Sequence, residues 1–159
     1  MDSNTAINDK LLMTARVLEK TGDLLFGQFG LTVRAYEILT HLHAGEDTTA
    51  KLAIILQSSP ANITHKTKLL ESEGLIKRVV DQHDKRIWRF SLTQRGEQIL
   101  KTIHGIYEKA TVKLYSQFSK QKKQEALEFL NAVLEHLTAL LENEEKVKMF
   151  VVASVEAEK

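Results

Sequence analysis

Apolar spacing leaves the helical period at one place along this chain. Upstream of residue 75 the apolar residues recur at intervals of three and four, the spacing of a helix face. Over "LIKRVV" and "IWRFSL" the interval drops to two. Ile76, Arg78 and Val80 alternate with Lys77 and Val79, and Trp88, Phe90 and Leu92 alternate with Ile87, Arg89 and Ser91. Two such runs predict an antiparallel hairpin with one apolar face. An isolated two-stranded hairpin is marginal in water, so this one must pack on its neighbouring helices. Between the runs lies "DQHDKR", Asp81 to Arg86, with five ionisable side chains in six positions. It contains neither Gly nor Asn, the residues that tight hairpin turns favour. The charge at this tip calls for a purpose other than turning.

The remaining sequence reads as helix. A single proline, Pro60, and few glycines leave little to interrupt it. A first helix is predicted from about Ile7 to Gly27, and "GQFGLT" breaks it with two glycines. Thr32 is a fitting N-cap for "VRAYEILTHLHA", whose inner face is Ala35, Ile38, Leu39 and Leu42. Thr48 or Thr49 starts a short helix with Leu52, Ala53 and Leu56 inward, and "QSS" forms a turn. Ser59 caps the next helix, with Pro60 at its first position, where the missing N–H costs nothing. Ile63, Thr67 and Leu70 face inward, and Gly74 ends it. After the hairpin Thr93 caps a long helix, and Ser119 caps the last. There Leu127, Leu130, Leu134, Leu137 and Leu141 recur at 3, 4, 3 and 4, the seam of a helix that packs on another helix. Val133, Phe129 and Leu140 widen that face, which suits either an ordinary core helix in a bundle or a helix that packs on a partner subunit as well. The tail contains "MFVVA", too apolar to stay free.

Composition narrows the functional classes. The chain has 159 residues, 43% hydrophobic and 27% charged, which fits one globular protein. It has no cysteine, which excludes disulfides, thiolate nucleophiles, thiol switches and cysteine zinc sites. "MDSNTAINDK" lacks the basic and apolar regions of a signal peptide. No apolar run approaches the roughly 18 residues of a membrane span, so a cytoplasmic location is expected. Net charge is +1 overall, but Ser58 to Arg95 holds eight basic against four acidic residues. A locally basic segment in a near-neutral chain points to a polyanion.

The helix that begins at Ser59 is the candidate reading element. Its entry and outer face offer Ser58, Ser59, Ala61, Asn62, Thr64, His65, Lys66 and Lys68, with its acids, Glu71 and Glu73, at the far end. Asn can pair with adenine, Ser and Thr with bases or phosphates, and a small Ala leaves room for a thymine methyl. Helix, tight turn, helix and basic hairpin follow in one order. "DQHDKR", then "IWRFS", then "LTQRG" resembles the wing of the MarR family of winged helix-turn-helix regulators. "LTVRAYEIL", "KLAIILQSSPANIT" and "LLESEGLIKR" resemble that family's preceding elements, so the similarity runs from about Leu31 to Gly96.

The resemblance implies a mainly α fold with a small β-hairpin wing: a winged helix-turn-helix DNA-binding domain, residues 31–96, plus a helical dimerisation region. Residues 1–30 would supply an N-terminal dimerisation helix and residues 97–159 the C-terminal dimerisation helices and tail. It implies a sequence-specific, double-stranded-DNA-binding transcriptional regulator. It also implies a homodimer on a pseudo-palindromic operator, and a repressor released by a small phenolic or anionic effector. Arg86 would enter the minor groove, held by Asp84, with Lys85 on phosphate. The dimer would use Leu11, Leu18, Leu127, Leu130, Leu134, Leu137 and Leu141, and the effector would sit near Phe29, Tyr36 and His41. Two departures affect base readout: His65 stands where the family commonly has Arg, and Lys66 and Thr67 stand where it has apolar residues.

Other readings are weaker. No Ser/His/Asp set, phosphate loop or paired-acid cleft marks an enzyme, so no catalytic residue is assigned. His41 and His43 point about 200° apart on a helix and cannot share a metal. His104 and Glu108 stand at i, i+4 and could, but a lone pair of this kind is usually solvated, so no metal or cofactor is assigned. A helical protein–protein interaction module on the same scaffold is the alternative. It would expose apolar rather than basic residues on the wing.

Overall fold

A computed structural model describes residues 2–141 and 147–148. The apolar "MFVVA" segment and the acidic "ENEE" run lie outside the described residues. Two compact units are defined, Met1–Tyr107 and Glu108–Lys159.

Caps and glycines set the elements of the first unit. α1 (Ser3–Gly27) starts earlier than its apolar spacing predicts, and only Phe26 in it is buried. α1 approaches α2 (Val33–His43) closely: a Cβ added at Gly22 would lie 2.4 Å from Val33 Cγ2. The Asp23 carboxylate accepts the Val33 N–H at 2.7 Å. The Thr32 hydroxyl caps α2 by accepting from Ala35 N at 3.2 Å. The predicted inner face of α2 is buried, with Tyr36 added to it.

Thr48 caps α3 (Thr49–Ile55) through Lys51 N, and Ser59 caps α4 (Pro60–Ser72) through Asn62 N. Between them Gln57 takes a positive φ of 48°, an unusual place for a side chain and the tightest point of the turn. Leu52, Ala53, Leu56, Ile63, Thr67 and Leu70 all face inward, as the spacing predicts. Their common core includes Ile38, Leu39, Leu75, Ile76, Phe90, Leu100 and Ile103.

β1 (Ile76–Val80) and β2 (Trp88–Leu92) pair antiparallel, with Ile76 opposite Leu92, Arg78 opposite Phe90 and Val80 opposite Trp88. The expected single apolar face is therefore real, but the core covers only its base. Ile76 and Phe90 are buried, while Val80 and Trp88, at the end of the hairpin next to its loop, stay exposed. An isolated bridge joins Thr48 to Arg89 beside the hairpin.

α5 (Gln94–Tyr115) begins at Thr93, whose hydroxyl accepts from Gly96 N at 3.1 Å and donates to Gly74 O at 2.7 Å. In the second unit Ser119 caps α6 (Lys120–Leu141) through Lys122 N at 3.2 Å. No residue of α6 is buried.

Candidate nucleic-acid interface

The first half of α4 presents a polar surface free of acid. Ser59, Ala61, Asn62, Thr64, His65 and Lys68 are exposed, and Ser58 and Lys66 are half-buried. Asn62 is held at both ends of its residue. Its backbone N–H goes to the Ser59 hydroxyl, and its side-chain Nδ2 donates to Ser58 Oγ at 2.9 Å. That leaves the amide oxygen and the second N–H of this exposed side chain for another partner, the pair of groups an adenine edge requires. Thr64 spends its own hydroxyl proton on Pro60 O at 2.8 Å. At the far end Glu71 is neutralised by Arg78, 3.1 Å away.

The tip of the hairpin is laced by its own acids. Asp81 Oδ1 accepts from His83 N at 2.7 Å and from Asp84 N at 2.9 Å. Asp84 Oδ1 accepts from Arg86 N at 2.9 Å, and the loop closes through Ile87 N to Asp84 O and Asp81 N to Ile87 O, both 2.9 Å. Aspartates that bond their own downstream backbone build turns without glycine. Asp81 is only 6% exposed and its second oxygen takes the Arg89 Nε. The Asp84 N–H, the Arg89 guanidinium and the His83 N–H hold the Asp81 carboxyl far below the usual range. Arg89 Nη1 reaches on to Asp47 Oδ2 at 2.6 Å. At Asp47, desolvation raises the carboxyl's value, but the Arg89 bond and charge, a backbone hydrogen bond and the Lys51 charge together outweigh it and the net shift is downward.

This geometry revises the expected roles of several residues. Asp84 holds Arg86 by its backbone N–H and not by a paired guanidinium. Asp81, which the sequence leaves without a role, is the anchor of the loop. Arg78 and Arg89, two of the eight basic residues between Ser58 and Arg95, are both spent within the protein. Arg78 pairs with Glu71 and stacks 4.6 Å over the Trp88 ring, and Arg89 bridges two aspartates. Lys85 and Arg86 are exposed and form no ion pair among the described residues. Asp47 had no sequence signal: it lies 42 residues from the arginine it binds.

Phe29, Tyr36 and His41 occupy separate settings. Phe29 packs half-buried on the core and His41 is half-buried on α2. Tyr36 is buried, with its ring 4.7 Å from Phe26 and 5.7 Å from Tyr107, and its hydroxyl hydrogen-bonded to His104 Nδ1 at 2.8 Å. A cleft of about 460 Å³ is lined by Thr40, His43, Glu97, Leu100, Lys101 and His104, and none of the three expected residues lines it. Among the described residues no group of three or more His, Cys, Asp or Glu is placed to hold a metal. Leu11 is half-buried, while Leu18, Leu127, Leu130, Leu134, Leu137 and Leu141 are exposed.

A three-helix core, a tight turn into α4 and a hairpin flanking it define a winged helix-turn-helix domain. The MarR family model matches residues 31–88. Transcriptional regulator ZitR of Lactococcus lactis subsp. cremoris is 30% identical over 108 residues, 68% of this chain and 74% of that protein. YhbI of Bacillus subtilis, an HTH-type transcriptional regulator, is 27% identical over 139 residues, 84% and 88% of the two chains. The crystal structure of the S. aureus MepR–DNA complex superposes with a TM-score of 0.77 at 24% identity, covering 82% of this chain and 97% of that one. BldR from Sulfolobus solfataricus gives 0.77 at 22%, covering 86% and 99%. The chain belongs to the MarR family of transcriptional regulators, and its relatives are regulators rather than enzymes.

Proposed function

We propose that this regulator binds a pseudo-palindromic double-stranded operator as a homodimer, acts as a repressor, and leaves DNA when a small phenolic or anionic molecule binds. The observation that carries the DNA reading is the division of charge on the wing. Asp47 and Asp81 are paired with Arg89, Glu71 is paired with Arg78, and Asp84 is bonded to the Arg86 N–H, while the side chains of Lys85 and Arg86 at the tip remain available to a phosphate backbone and a narrow minor groove. The acid-free half of α4, with Asn62 pre-set by Ser58, supplies the base-reading side. A structural relative crystallised with DNA, MepR, supports the same reading.

The exposed leucines of α6, with Leu18 on α1, support the dimer. For the effector, the cleft bordered by Thr40, His43, Glu97 and Lys101 offers hydrogen-bonding groups that suit a phenol, with Lys101 the cation that could meet an anion beside the Glu97 carboxylate. Among the described residues no helix is long and apolar enough to cross a membrane, and a cytoplasmic site of action follows from the function proposed.

Selection of bound duplexes from a random DNA pool tests this directly, with and without candidate phenolic and anionic molecules. A two-fold symmetric consensus with half-sites about one helical turn apart is expected. On the selected duplex Arg86→Ala is expected to weaken binding by about tenfold or more, the scale of one charge-assisted contact. Unchanged affinity in a gel-shift titration removes the wing from the interface. A second reading, a protein partner on the wing, draws on its exposed Val79, Val80, Ile87 and Trp88. That reading expects no enriched DNA sequence.

A further inference from the structure

Arg89 is the second residue of β2, and two nitrogens of its guanidinium go to different places in the chain. Nε meets Asp81 at the start of the wing loop, and Nη1 meets Asp47 in the loop between α2 and α3. Two backbone connections follow the same path. Phe90 N donates to Asp47 O at 2.7 Å, and Thr48 forms a bridge with Arg89. Thr48 is also the cap of α3, the first helix of the helix-turn-helix.

On the wing side the path continues without a gap. Asp81 fixes the N–H groups of His83 and Asp84, and Asp84 fixes the N–H of Arg86. One guanidinium thus links the start of the helix-turn-helix to the backbone of the residue at the wing tip. Lys51 lies 3.5 Å from Asp47 and 3.6 Å from Glu46, so the cluster sets three carboxylates against two cations and offers no surplus positive charge to phosphate. The residue type matters as well. A planar fork can address two carboxylates in different directions, which the point charge of a lysine cannot do with fixed geometry.

We infer that Arg89 is a positioning residue for the wing: without touching DNA, it sets the pitch at which the loop carrying Lys85 and Arg86 meets the groove that α4 reads. The inference rests on the wing contacting DNA, and the experiment separates the two ideas. Affinity for a duplex selected with the wild-type protein is measured for wild type, Arg89→Lys, Arg86→Ala and the double variant. Thermal unfolding of all four is followed alongside. Asp81→Asn serves as a second probe, because its amide oxygen can still close the loop while the carboxylate charge that pairs with Arg89 is lost.

If Arg89 acts through Arg86, Arg89→Lys weakens binding by roughly fivefold to tenfold in the wild-type background and by less than about twofold in the Arg86→Ala background, the signature of coupled residues. Asp81→Asn follows the same pattern. Equal losses in both backgrounds mean that Arg89 contacts DNA itself or serves only general stability, and overturn the inference. No loss in either background does so as well. If Arg86→Ala itself binds like wild type, the wing reading fails and takes this inference with it.

Discussion

Gly96 shows how one absent atom shapes the domain. A Cβ built there would lie 2.0 Å from the carbonyl oxygen of Leu75, a backbone atom that cannot turn aside. The glycine of "LTQRG" is therefore a condition for α5 to start against the end of the α4–β1 segment. Gly96→Ala is expected to destabilise the fold by about 2–3 kcal/mol, the usual cost of overpacking. Chemical unfolding monitored by circular dichroism checks it, and a midpoint unchanged from wild type would show that the backbone yields. At this scale the sequence was most legible. Thr32, Ser59, Thr93 and Ser119 each cap the helix they precede, because a cap is a bond to a residue three positions on. Asp81, Arg89 and Asp47 were not legible as a unit, because nothing local marks a partner 42 residues away.

At the scale of the element, the hairpin is fixed by its ionic anchor as much as by its strands. Spacing correctly identifies which residues share a face, but not how far that face is covered, and so Val80 and Trp88 are left outside the core. The anchor has a definite pH behaviour. Asp81 and Asp47 both titrate below their ordinary values, so their stabilisation is complete above the unfolded value of about 3.9 and disappears only as pH falls through the folded ones. Arg89 is shifted upward by Asp47 and Asp81 and stays charged throughout. The stability difference between wild type and Asp81→Asn is therefore expected to be constant between about pH 6 and pH 8 and to shrink below about pH 4. Thermal melts across that range measure it. A difference that changes near neutrality would assign the anchor to some other group.

At the scale of the whole molecule, the paired surfaces are the ones that carry the proposed activity. Lys66, Lys68 and Lys85 from two copies would make about six phosphate contacts, which sets a log–log salt slope near −5. A flat plot would remove the phosphate contacts from the account. Leu134 is 63% exposed in the middle of the α6 stripe. Leu134→Asp is expected to give a monomer with DNA affinity lowered by at least tenfold, since one half-site must then bind alone. Light scattering on the purified protein reads the first effect and gel shift the second. An intact dimer would move the interface elsewhere. The bareness of α6 has a further consequence. A helix that buries none of its residues in its own chain draws its order from whatever covers it, and a cover made of a second copy obeys mass action. If a second copy is that cover, as proposed, the number of these molecules in a cell becomes a structural variable: dilution alone would thin the population able to hold the proposed operator.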